Sequence, residues 1–108
     1  MCHATTPPRP PRLDKFNQDF ARRLETEAQA LASVREELRV AADPSVILDE
    51  LEQRAHKLSG AAGIFGFPGV SEAAATLEEG IALRRSGEAA PARTETDLEA
   101  LIAAVTGA

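Results

Sequence analysis

The 108-residue sequence has no Trp, no Tyr, four Phe, one Cys and two His. A lone cysteine cannot close an internal disulfide, and one Cys with two His falls short of a four-ligand structural zinc site, so no bridge or metal is expected to hold the fold. Val and Ile total nine, against 21 Ala and 11 Leu. No stretch alternates apolar with polar residues, so strands have no support and the composition is that of a helix former. No apolar run approaches the ~18 residues of a membrane span, and the opening residues lack the apolar middle of a secretion signal, so the expected compartment is the cytoplasm. Positive charge is short as well: 12 Lys plus Arg against 17 Asp plus Glu, a net −5. Nucleic acid is therefore not an expected partner, and a protein or small molecule is.

What is present is a lean, helical pattern. Leu, Ile, Val and Phe number 24, a little above the level at which chains stay unfolded, so the core must pack closely through Ala. The length fits one domain. Residues 1–12 hold four of the seven prolines and read as an extended, mobile tail, leaving 13–108 to fold. From Leu13, the positions Phe16, Phe20, Leu24, Ala28, Leu31, Val34 and Leu38 recur every three or four residues, which predicts one long helix to about Ala42. Asp43 and Pro44 offer an N-cap and a first-turn proline for a second helix, with the stripe Ile47, Leu51, Ala55, Leu58, Ala62 and Phe65. Gly66 suits a left-handed terminator, and Gly66-Phe67-Pro68-Gly69 a tight turn. A third helix carries Val70, Ala74, Leu77, Ile81 and Arg84 and stops at Gly87. Thr94 or Thr96 is expected to cap a fourth, with Leu98, Leu101, Ile102 and Val105 inward. Short connections make sequential helices reverse, so the expected fold class is all-α: an antiparallel up-down four-helix bundle.

At about 100° per residue, His56 points roughly 160° away from Leu58 and should face solvent. Asp49, Glu52, Gly60 and Gly63 fall within about 40° of it, with Gln53 and Ser59 about 60° to either side. Glycine inside a helix costs roughly 1 kcal/mol against Ala, so two on one exposed face call for a cause. Close approach of another molecule is one cause. The alternative is internal: Gly63 and Gly66 loosen the helix end, and Gly60 admits a neighbouring helix. An exposed, neutral imidazole can act as a nucleophile or proton carrier. Nothing on its face supplies a second nucleophile or an oxyanion hole, so unaided hydrolysis is not expected.

The stretch Ala55-His56-Lys57-Leu58-Ser59-Gly60-Ala61-Ala62-Gly63-Ile64-Phe65-Gly66-Phe67 resembles the signature of histidine phosphotransfer domains: a His, an apolar residue two on, a Gly four on and a second Gly ten on. It is similar also to the phosphoryl-accepting domain of chemotaxis-type histidine kinases, particularly over Gly63–Phe67. The match covers 55–79 closely, and helix order and lengths fit across 13–106. The resemblance implies that His56 is the phosphoacceptor, exchanging a phosphoryl group with the aspartate of a response-regulator receiver domain or taking it from a histidine kinase. It implies a phosphoryl carrier and not an enzyme. No cofactor is expected in this chain, the Mg2+ belonging to the partner receiver.

One position departs from the family pattern. Ser59 stands where Lys is common three residues after the histidine, so Lys57 and Ser59 are the candidates for steadying the phosphoryl oxygens. Glu52, Gln53, Gly60, Gly63 and Phe67 are the candidates for partner docking, with core packing as the other role open to Phe67. The pairs Arg22-Arg23 and Arg84-Arg85 are most simply solvated charges, a part in partner choice being the other possibility. The chain is expected to be monomeric. A competing function is a helical adaptor that binds a receiver or kinase without being phosphorylated; another is a dimer built on the first helix.

Overall fold

The computed structural model describes residues 11–108, with side chains from Lys15 onward. Four helices fill it: α1 (Pro11–Val40), α2 (Ser45–Ile64), α3 (Pro68–Arg85) and α4 (Pro91–Thr106). Among the described residues there is no strand. Each helix packs on the next, and α4 returns to α1, so the bundle closes on itself as the expected antiparallel up-down arrangement. The expected tail falls partly in α1, because Pro11 and Arg12 already belong to the helix. A first-turn N–H has no intrahelical partner, so proline is tolerated there. Residues 1–10, including Cys2, lie outside the described residues, as does the side chain of Leu13. At its other end α1 stops at Val40, two residues short of the expected Ala42.

The core is made where the apolar stripes meet. Leu24, Leu31, Leu51, Leu77, Ile81, Leu98 and Leu101 are fully buried, and Ala55, Ala62 and Ala74 are sealed at 0% exposure, which lets the helix backbones approach. In α2 the buried stripe is Leu48, Leu51, Ala55, Leu58 and Ala62. Leu48 replaces the expected Ile47, which is only half-buried, because steps of three and four alternate along this set and hold it on one face. Phe20 is buried and stacks on Phe65 with ring centroids 5.0 Å apart and 27° between the planes. Phe67 tilts against the same Phe20 at 5.5 Å. The three rings close the end of the bundle where α2 turns into α3.

The turns follow the chemistry of their residues. Asp43 Oδ1 accepts hydrogen bonds from the Ser45 backbone N–H (3.0 Å) and hydroxyl (2.7 Å), but the expected N-cap is corrected: α2 begins at Ser45, Pro44 holds the N-cap position without a side-chain cap hydrogen bond, and Asp43 lies one residue before it. Gly66 and Gly87 take φ of 85° and 82°, the left-handed values glycine adopts without a Cβ clash. Pro68 opens α3, so the expected four-residue turn is cut to its first half.

The expected cap of α4 is corrected. Pro91 starts that helix after Ala90, Thr96 donates back to the Ala92 carbonyl at 3.1 Å, and Thr94 lies fully buried with no hydrogen-bond partner for its hydroxyl among the described residues. Proline in the first turn needs no donor partner, and it moves the helix start three residues before Thr94, whose methyl then falls on the core stripe. Gly80 was not anticipated as an inward residue. A Cβ there would stand 2.6 Å from Asp97 Oδ2 and 3.1 Å from Arg93 Nε, so this glycine lets α4's Arg93–Asp97 pair lie against α3.

Candidate functional site

His56 projects from the middle of α2 with 76% of its side chain exposed, as its angular offset from Leu58 predicts. Its Nδ1 lies 2.9 Å from Glu78 Oε2 of α3. An ionised carboxylate can only accept, so this contact places the ring proton on Nδ1 and leaves the Nε2 lone pair facing outward. Glu78 itself is half-buried. An exposed imidazole free to rotate through its side-chain torsions is thereby held in one orientation by a residue on the neighbouring helix.

The two glycines differ in their surroundings. A Cβ at Gly60 would meet nothing within 4 Å, and one at Gly63 would make only an ordinary 3.5 Å contact with Ser71 Oγ. Among the described residues nothing packs against the Cβ position of Gly60, so close approach of a neighbouring helix does not explain this glycine. One turn further on, Ile64 is 78% exposed, within about 40° of Gly60 around the helix. A bare strip of backbone and one apolar side chain thus run from His56 toward the α2–α3 turn. Ser59 is half-buried, and its carbonyl accepts the Ser71 hydroxyl at 2.8 Å, pinning α2 to α3 beneath that strip.

The remaining candidates divide between two sides. Toward α3, Arg85 bridges to Asp49 and lies 3.6 Å from Glu52. Arg85 is therefore a cross-helix tie and not the merely solvated charge expected, since antiparallel packing brings the end of α3 alongside the start of α2. Toward α1, Gln53 and Lys57 line an open hollow with Arg23, Glu27, Glu50, Arg54 and Leu58. Arg54 is engaged there by Glu50 at 3.0 Å and Glu27 at 3.2 Å; the Glu50 hydrogen bond above all raises its guanidinium above the ordinary arginine value, burial opposes this, and the Glu27 hydrogen bond and the charges of both carboxylates add to the rise. Phe67 stands apart from His56, packed on Phe20 at the end of the bundle. Among the described residues, no three His, Cys, Asp or Glu side chains could hold a metal ion together, and no helix is long and apolar enough to cross a membrane.

Glu78 and Ile64 are the site residues that the sequence did not single out, and the tie of Arg85 to Asp49 and Glu52 was not foreseen. His56 and Glu78 lie eleven residues before and after Phe67, and Asp49 and Arg85 eighteen. An antiparallel hairpin centred on Phe67 would have suggested both pairs.

A family model described as "Hpt domain" matches residues 13–108. The chain belongs to the Hpt domain family. Comparison with curated proteins and with solved structures gave no match. Membership gives this Hpt domain a phosphotransfer role in two-component signalling, as a phosphocarrier module that works with kinase or receiver partners.

Proposed function

We propose that this Hpt domain carries its phosphoryl group on His56 Nε2 and exchanges it with the aspartate of a receiver domain. The observation that carries this is the Nδ1–Glu78 contact at 2.9 Å on a ring otherwise in solvent. In the accepting direction, the Nε2 lone pair attacks the phosphorus of an aspartyl phosphate. The P–N bond forms as the P–O bond breaks, and the aspartate leaves as a carboxylate with the bonding pair. The ring gains positive charge while keeping its proton on Nδ1, where Glu78 accepts the hydrogen bond and offsets that charge. The donating direction is the reverse.

Phosphoryl transfer depends on positioning and charge neutralisation more than on covalent assistance. The chain's part is thus to present the imidazole on a stiff helix, hold its tautomer and leave room for the partner. Gly60, open on its outer side, and exposed Ile64 form the surface on which a receiver rests; Lys57, the neighbour of His56 in the chain, is the cation offered to the phosphoryl oxygens. Nothing in this step requires a cofactor within the chain.

Incubation with phosphorylated receiver domains tests the proposal. The expected result is an acid-labile, alkali-stable label on the wild type, absent from His56→Gln, whose helical content is unchanged. Tight receiver binding without label would instead establish the adaptor function.

A further inference from the structure

The charges around His56 are unequally satisfied. On the α3 side three carboxylates are engaged: Glu78 by the His56 ring, and Asp49 and Glu52 by Arg85. On the α1 side, Arg54 is held by Glu27 and Glu50. Arg23 and Lys57, exposed cations lining the same hollow, have no ion-pair partner among the described residues. In a chain of net charge −5, the unneutralised positive charge beside His56 therefore collects at one edge, formed jointly by α1 and α2.

We infer that Arg23 and Lys57 form a basic docking edge that receives the acidic rim of the receiver's phosphoryl site. This rests on the proposed exchange at His56 and extends its contact surface from α2 onto α1. The complementarity follows from the chemistry of the donor: an aspartyl phosphate brings about −1.5 to −2 charges on the phosphoryl group, and a divalent ion there is already offset by the carboxylates that hold it. Two cations without internal partners lose no ion pair when they meet that surface. They steer the encounter through long-range attraction and set the orientation in which the phosphorus reaches Nε2. Lys57, next to His56 in the chain, meets the part of the rim nearest the phosphoryl group; Arg23 meets the part that overlies α1.

The test uses the full chain and a receiver with which the wild type exchanges label. Arg23→Glu/Lys57→Glu is compared with Lys15→Glu/Arg22→Glu, which changes the net charge equally on exposed α1 positions outside the hollow. Receiver affinity is measured at low and high salt by titration calorimetry, and helicity by circular dichroism. The hollow variant is expected to bind about tenfold more weakly at low salt, with a flatter salt dependence, because screening has less attraction to remove. The control is expected to stay within about twofold of wild type. The inference is overturned if the hollow variant binds like wild type, or if the control loses as much. Should the double reversal lose helicity, Arg23→Gln/Lys57→Gln takes its place, with about a threefold loss expected and no loss overturning the inference. If no receiver exchanges label with the wild type, the phosphotransfer assignment fails, and the same comparison is made on a receiver that binds, its affinities alone upholding or overturning the docking edge.

Discussion

His56 of α2 and Glu78 of α3 meet at 2.9 Å through Nδ1 and Oε2, at equal sequence distances on either side of Phe67. The pair couples the reactive ring to the packing of the α2–α3 hairpin: whatever holds the two helices in register also holds the imidazole. With 76% of the His56 side chain and 34% of Glu78 exposed, water screens the interaction, and its worth is that of a surface pair, about 0–1 kcal/mol.

That magnitude sets the first prediction. Glu78→Gln retains the size of the side chain but can donate as well as accept, so it no longer dictates which ring nitrogen carries the proton. Label transfer to His56 should slow by up to about fivefold, and nitrogen chemical shifts of the ring should report a mixture of tautomers where the wild type shows one. A pure Nδ1–H form in Glu78→Gln would mean that something other than Glu78 selects it.

Gly60→Ala should separate stability from function. The new Cβ meets nothing within 4 Å, so the helix gains roughly 1 kcal/mol of propensity, which corresponds to a rise of about 4–8 °C in Tm for a domain of this size. Receiver affinity should fall over the same substitution, and fall further with a bulkier residue. A stabilised variant with undiminished affinity would remove Gly60 from the docking surface.

Thr94→Val is expected to stabilise the protein. The hydroxyl is sealed in the core without a partner among the described residues, and an unpaired buried polar group costs on the order of 1–3 kcal/mol that an isosteric methyl does not. Urea denaturation should show a raised midpoint with an unchanged slope. A lowered midpoint would mean that the hydroxyl is satisfied in solution.

Asp43 gives a pH-dependent prediction. The Ser45 hydroxyl, and after it the Ser45 backbone N–H, hold this carboxyl below the usual carboxylate range. A pKa lowered on folding contributes stability at pH values above the unfolded value, close to 3.8, and that contribution disappears as pH falls through the lower folded value. Wild type should therefore melt above Asp43→Ala at neutral pH, with the gap narrowing below about pH 4. A gap that stays constant to pH 2 would show that the charge on Asp43 contributes nothing.

The sequence by itself determined what depends on neighbours along the chain. Four helices, their turn glycines at 66 and 87, and the outward direction of His56 all follow from a repeat of 3.6 residues and from the φ preferences of Gly and Pro. The departures at the starts of the helices arise where a first-turn proline extends a helix beyond its periodic part, as at Pro11, Pro68 and Pro91. The burial of Leu48 rather than Ile47, and of Thr94, depended on the rotation of each helix about its axis, which packing sets to within a residue and periodicity does not. Only the tertiary structure decided which α3 side chains stand beside α2. The contacts Glu78–His56, Arg85–Asp49 and Ser71–Ser59, the empty space over Gly60 and the shared hollow of Arg23 and Lys57 all depend on how two separate helices lie against each other. A one-dimensional pattern gives each helix its inward face, but the pairing of side chains across an interface is fixed by interhelical register and rotation, and these are settled by the close packing of the whole core.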